Sequence, residues 1–194
     1  MPSGASKEIA RFDIRRELYE WAQALITALI AFALLYTFAA RVIGVDGISM
    51  SPTLQNHEKL LISKLFYKPA RGDIIMFTKK DAILPGEYNS SKPQPLVKRV
   101  IGLPGDVIDI DFTAHKVYVN NQALDEPYIN EPTALRDDIS FPITVPDGCL
   151  FVMGDNRNRS IDSRSTRVGM IDERCVLGRV LLRVYPFGKF GPVR

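Results

Sequence analysis

Cysteine and histidine are nearly missing from this sequence, with two of each in 194 residues. Cys149 and Cys175 stand far apart, with neither the C-x-x-C spacing of a zinc or redox site nor the density of a disulfide scaffold. They read as two buried small apolar residues, with a single disulfide between them as the alternative. His57 and His115 sit alone in polar contexts and form no ligand cluster, so no metal and no other cofactor is expected. Charge of one sign is lacking too: 25 basic against 22 acidic residues leave a formal net charge of +3. That is too little for the single-sign field of a nucleic-acid binder, and no stretch resembles a recognition helix, so nucleic acid is not an expected partner. No internal repeat is present.

What is there in quantity is apolar. A hydrophobic content of 46% over this length suffices for one well-buried domain plus a short appendage. Residues 21–40 (WAQALITALIAFALLYTFAA) contain no charged side chain, and about 20 such residues are what a helix needs to cross the hydrocarbon core of a bilayer. A cleavable signal peptide would have a shorter apolar region, and a buried helix of a soluble protein would carry a polar stripe for which Gln23 and Thr27 give only a hint. The segment is therefore predicted to be a transmembrane helix, with Trp21 and Tyr36 at the two interfaces. Lys7, Arg11, Arg15 and Arg16 precede it, whereas Arg41 and then Lys59 follow. The excess of basic residues on the N-terminal side puts residues 1–20 in the cytoplasm and residues 41–194 outside it. The lipid bilayer of the cell membrane is thus the first expected partner.

After Arg41 the texture changes to short runs of Val, Ile and Leu broken by Gly, Pro, Asn and Asp, which is the punctuation of β-sheet. Strands are predicted over residues 59–64, 72–78, 97–101, 107–111, 116–120, 139–145, 150–153 and 176–184. Asn120-Asn121-Gln122 reads as a hairpin turn, and residues 81–95 (DAILPGEYNSSKPQP) as a loop. The fold class is mostly β: an antiparallel, barrel-like domain following a single N-terminal transmembrane helix.

Three stretches carry groups that chemistry can use. In VDGISMSPTL, Ser49 lies in a tight segment bounded by Gly and Pro. A serine hydroxyl is nearly inert until a base takes its proton, and with neither histidine well placed, a lysine is the recognised substitute. Lys98, in LVKRVIGLPGD, sits in a strand-type run whose alternation puts Val97 and Arg99 on one face and Lys98 on the other. Buried there, its ammonium would be penalised by desolvation and could become a neutral general base. A solvated edge lysine is the plain alternative. FVMGDNRNRSIDSR crowds Asp155, Arg157, Arg159, Asp162 and Arg164 around small polar residues, either a solvated charged turn or a set of mutually braced charges.

Together these stretches resemble the bacterial type I signal peptidases, the leader peptidase family of Ser-Lys proteases. The family's S-M-x-P-T appears as Ser49 to Thr53, its G-D-I-hydrophobic as Gly72 to Ile75, its K-R-x-x-G-x-P-G-D as Lys98 to Asp106, and its G-D-N-x-x-x-S-x-D-S-R as Gly154 to Arg164. All four follow an apolar N-terminal segment in the family's order. The resemblance implies that Ser49 attacks the scissile carbonyl of a secretory preprotein while Lys98 accepts its proton. It implies that Ser160 holds the lysine amine, and that Asp162 with Arg164 and Asp155 with Arg99 are structural ion pairs. Met50 and Pro52 would shape the nucleophile's turn and Gly154 would leave room beside the lysine. Small residues are expected at the first and third positions before the cut. Some members use a serine hydroxyl two residues before the nucleophile in the oxyanion hole. Here that position is Gly47, so backbone donors, the Ser49 N–H first, must serve. The middle region, residues 112–147, is short compared with members that carry an inserted second domain. A self-cleaving LexA-like regulator would need a DNA-binding domain where this chain has its apolar segment. A non-enzymatic peptide-binding module would have no need of the serine, the lysine and the braced loop together.

Overall fold

A computed structural model describes residues 14–78 and 95–193, with the side chains of 34–39 left aside. The first element, α1 (Ile14–Ala39), is a helix rich in Ala and Leu with no Gly or Pro to interrupt it. It begins seven residues before the predicted span, taking in Arg15, Arg16, Glu17 and Glu20. Among the described residues no helix is long and apolar enough to cross a membrane. The apolar end of the predicted span, residues 34–39, contributes no described side chain. The chain divides into two units, Met1–Phe38 and Ala39–Arg194.

The second unit is built of antiparallel strands. In chain order they are β1 (Arg41–Gly44), β2 (Lys59–Ser63), β3 (Ile74–Thr78), β4 (Pro95–Gly102), β5 (Val107–Asp111), β6 (Lys116–Val119), β7 (Gln122–Ala123), β8 (Ile143–Thr144), β9 (Cys149–Met153), β10 (Ile171–Asp172), β11 (Val176–Tyr185) and β12 (Gly191–Pro192). The larger sheet runs β1-β2-β11-β3-β4-β9-β10, with β12 also on β11; the smaller runs β7-β6-β5-β8. The predicted barrel is corrected here to two open sheets, because β1 and β10 end the larger path without pairing with each other.

Strand alternation explains the core. Along β3, Ile74 and Met76 enter one buried cluster, whereas Ile75 and Phe77 enter a second. Along β9, Leu150 and Val152 join that second cluster, while Phe151 and Met153 join a third under the smaller sheet. Both faces of the larger sheet are therefore covered, as the unbroken apolar runs IIMF and CLFVM require.

Several predicted elements shift for local reasons. The hairpin turn is Asn120-Asn121 alone, both at positive φ as a two-residue turn demands, and Gln122 already pairs with Val119. The strand expected over 139–145 shrinks to β8, since Pro142 has no N–H to offer a ladder and the Ile139 N–H is drawn to the Arg164 carbonyl at 3.2 Å. Residues 81–94 of the expected loop lie outside the described residues, and Pro95 opens β4. Cys149 and Cys175 are free thiols and half-buried rather than buried, each at the rim of a cluster.

Candidate active site

The loop between β1 and β2 carries Ser49. Met50 and Leu54 are buried in the first cluster and anchor it. Its rim is tied by Val45 N to Glu58 O (2.8 Å) and His57 N to Val45 O (2.9 Å). Gly47 has φ +97°, a backbone conformation that L side chains rarely adopt, and its N–H donates to Asn56 Oδ1 at 3.0 Å. A serine at this position would be strained as well as differently bonded.

Lys98 lies on β4 opposite Ile75, between Leu96 and Val100, which both pack into the second cluster. Its neighbour Arg99 is buried too, because β4 runs inside the sheet between β3 and β9. The Lys98 Nζ is 2.6 Å from Ser49 Oγ and also donates to the Val97 carbonyl at 3.2 Å. Burial lowers its pKa from 10.5 to about 8; Asp162 and Asp155 pull it back up, and Arg164 pushes it down.

Residues 154–165 leave β9 and wrap behind this pair. Arg99 grips Asp155 through Nε (2.8 Å) and Nη2 (2.7 Å), and the same carboxylate accepts the Thr53 hydroxyl at 2.5 Å, joining the lysine strand to the serine loop. Arg164 grips Asp162 at 2.8 and 2.9 Å, and Asp162 also accepts the Gly154 N–H at 3.0 Å. Burial alone would raise the Asp162 pKa, but the Arg164 charge and these hydrogen bonds hold it below the ordinary carboxylate value. Ser160, expected to hold the lysine amine, makes no such bond. Its buried Oγ is in hydrogen-bond geometry with none of the described residues, and the amine turns to Ser49 and Val97 instead.

The other motif residues close turns. Asp73 accepts the Tyr67 hydroxyl (2.8 Å) and the Ala70 N–H (3.0 Å) ahead of β3. Asp106 accepts from Leu103 N, Arg71 and Asn120, and these bonds hold its carboxyl low against the burial that would raise it.

Comparison with known sequences gives the family. The family model described as "Signal peptidase, peptidase S26" matches residues 18–185. The chain belongs to the signal peptidase family, peptidase S26. Among signal peptidases, it is 36% identical over 175 residues to a probable signal peptidase I-2 of Synechocystis, covering 89% of this chain and 75% of that one. It is 33% identical over 186 residues to signal peptidase I S of Bacillus subtilis, covering 90% and 93% of the two chains. The crystal structure of a signal peptidase I from Enterococcus faecalis is 30% identical and covers 58% of this chain and 97% of its own, with a TM-score of 0.42.

One more of the charges named in the loop is braced, while its partner and several other parts of the site were not singled out from the sequence. Arg157 is fully buried and paired with Glu126, also donating to Thr133 Oγ1 at 2.9 Å. The Tyr128 ring stacks on the Arg99 guanidinium 4.0 Å from its centroid. Glu58, buried at the base of the serine loop, pairs with Arg183 at 2.8 Å. Glu126, Tyr128 and Glu58 stand in no motif, and only the fold brings them to the site. Thr53 and Asn156 were visible inside two quoted motifs, where a polar side chain next to a key residue was the available signal.

Proposed function

We propose that this chain is a membrane-anchored serine endopeptidase that removes N-terminal signal peptides from exported preproteins, with Ser49 as nucleophile and Lys98 as general base. The observation that carries the reading is the 2.6 Å separation of Ser49 Oγ and Lys98 Nζ, with the amine pKa brought down to about 8 by burial. Near neutral pH a useful fraction of such an amine is unprotonated and able to take the serine proton. Ser49 Oγ then bonds to the scissile carbonyl carbon, and the Ser49 N–H faces the oxygen on which charge develops. Collapse of the intermediate breaks the peptide bond as Lys98 returns the proton to the leaving amine. Water, deprotonated by the same lysine, releases the acyl group.

Substrate recognition by strand addition is supported by the edge beside the dyad. Residues 95–98 of β4 pair with β3 on one side, while pairing with β9 begins only at Arg99. The cleft there has a volume of about 160 Å³ and is lined by Gly47, Ser49, Met50, Leu96, Val97 and Lys98 among others. An extended peptide on that edge presents alternate side chains to it, and so small a space favours alanine-sized residues at the first and third positions before the cut.

Incubating the detergent-solubilised protein with a secretory preprotein, and sequencing the N-terminus of the product, tests the reading. Wild type is expected to release the mature chain after a small residue, and Ser49→Ala to leave the precursor intact. Processing by Ser49→Ala at the wild-type rate would end the proposal.

The anchor is assigned to residues 21–40, with the N-terminus in the cytoplasm and residues 41–194 on the other side of the cell membrane. The apolar side chains Leu25, Leu29 and Phe32 are more than half exposed on α1, a surface suited to lipid. Tethering enzyme and signal peptide to one bilayer raises their effective concentration. Removing residues 1–40 is accordingly expected to cost about 100-fold more in kcat/KM on a bilayer-inserted preprotein than on a short soluble peptide. Equal losses on both substrates would contradict the anchoring role.

A further inference from the structure

The Ile48 carbonyl and the Ser49 N–H are two ends of one peptide group. That bond is not among the cis peptides of the described residues, and in a trans peptide the two ends point in opposite directions within one plane. Whatever holds the carbonyl therefore aims the N–H. Ile48 O accepts two bonds: Ser51 N at 3.1 Å within the turn, and Asn156 Nδ2 at 3.1 Å from across the site. The next peptide is held by the same residue, since Asn156 N donates to Ser49 O at 3.0 Å. Asn156 thus grips the peptide groups on both sides of Ser49, one through its side chain and one through its backbone. Among the described residues nothing accepts the Ser49 N–H.

The choice of an amide at this position has a cost. Asn156 is buried and its Oδ1 has no hydrogen-bond partner, an arrangement that destabilises a fold. Only the donor end of the side chain is used. Aspartate there would set a carboxylate oxygen against the Ile48 carbonyl, and leucine would fill similar space with no donor. With Gly47 offering no hydroxyl, the direction of a single N–H carries more of the oxyanion stabilisation.

We propose that Asn156 is a positioning residue whose side-chain amide fixes the plane of the Ile48–Ser49 peptide and so aims the Ser49 N–H at the oxyanion of the tetrahedral intermediate. The inference rests on Ser49 being the nucleophile. It is tested with the full chain in detergent, cleaving a preprotein with alanine at the first and third positions before the cut. Asn156→Leu and Asn156→Asp are expected to lower kcat by about 10- to 100-fold, short of the roughly 10²- to 10³-fold that loss of an oxyanion donor costs, with KM within about twofold of wild type. In Asn156→Leu the acid limb of the pH profile stays in place, because the Lys98 contacts are untouched; the added carboxylate of Asn156→Asp moves it to higher pH, as Asp162 and Asp155 already pull the Lys98 value up.

A peptide aldehyde with the substrate's residues before the cut separates aim from general disorder. Ser49 Oγ adds to its carbonyl carbon, the serine proton passes through Lys98, and the former aldehyde oxygen takes the oxyanion's place. The variants are expected to lose aldehyde affinity by the same factor as kcat while keeping affinity for the corresponding alcohol. In Asn156→Leu, equal weakening of aldehyde and alcohol, a displaced acid limb, or a wild-type kcat would overturn the proposal. If Asn156→Leu does not fold, Asn156→Ala carries the same expectations without added branching. Run alongside, Ser49→Ala distinguishes the two levels. Activity in that variant removes the serine–lysine reading, whereas an inactive Ser49→Ala beside a fully active Asn156→Leu removes only the role given to Asn156.

Discussion

Lys98→Met is expected to abolish cleavage while making the fold more stable at neutral pH. Losing the base of a nucleophile–base unit costs on the order of 10⁴-fold or more in kcat. The stability change has the opposite sign for a reason that can be followed through the protonation states. The Lys98 pKa falls from 10.5 to about 8 in the folded protein, chiefly through burial. Between those values the unfolded chain binds a proton that the folded chain does not. Stability is therefore lost as pH falls from 10.5 towards 8, and below that the penalty is complete. At about 1.4 kcal/mol per pH unit the penalty is on the order of 3 kcal/mol. Methionine keeps most of the side-chain volume and carries no charge. Urea midpoints should favour the variant at pH 7 and converge with wild type above pH 10.5; equal midpoints at both would show that burial of the amine carries no cost. The same lowered value puts the acid limb of wild-type kcat/KM near pH 8, with activity rising as the amine loses its proton.

Gly154→Ala is expected to cost about 100-fold in kcat/KM, together with about 1–3 kcal/mol of stability. The backbone conformation is not the obstacle; space is. A Cβ on residue 154 would lie 2.5 Å from the Ser160 Cβ and in hard overlap with the Ser160 Oγ and the Ser49 carbonyl oxygen. Carbon atoms pack at about 3.5–4.0 Å, so something must move, and one of the three atoms belongs to the nucleophile's own backbone. Steady-state kinetics and thermal unfolding check both parts. Adding Ser160→Gly removes two of the three clashes and should recover part of each loss. A double variant no better than the single one would place the whole effect at the Ser49 carbonyl.

Much of the architecture was legible because strands announce themselves locally. Val107 to Asp111 alternates and becomes β5 with the predicted bounds, and the runs that become β2, β3, β4, β9 and β11 lie within a few residues of expectation. Misses fall where a neighbour distant in sequence decides. β1 follows the apolar segment without a break and exists because β2 pairs with all four of its residues. The expected strand over 139–145 gave way because Pro142 offers no N–H to a ladder and the Arg164 carbonyl, distant in sequence, draws the Ile139 N–H.

The candidate site divides in the same way. Residue order alone determined that a serine in a tight loop, a lysine in an apolar strand and a braced run of charges occur together, because motif spacing is a property of the chain. Only tertiary structure decided that Lys98 and Ser49, 49 positions apart, lie within 2.6 Å, and that β4 is covered on both faces so that its lysine is stripped of water. It alone assigned the lysine's hydrogen bonds to Ser49 and Val97 rather than to Ser160, and set Asn156 against the two peptides flanking the serine. Desolvation and hydrogen-bond direction are sums over atoms from many distant segments, and no local run of residues encodes such a sum.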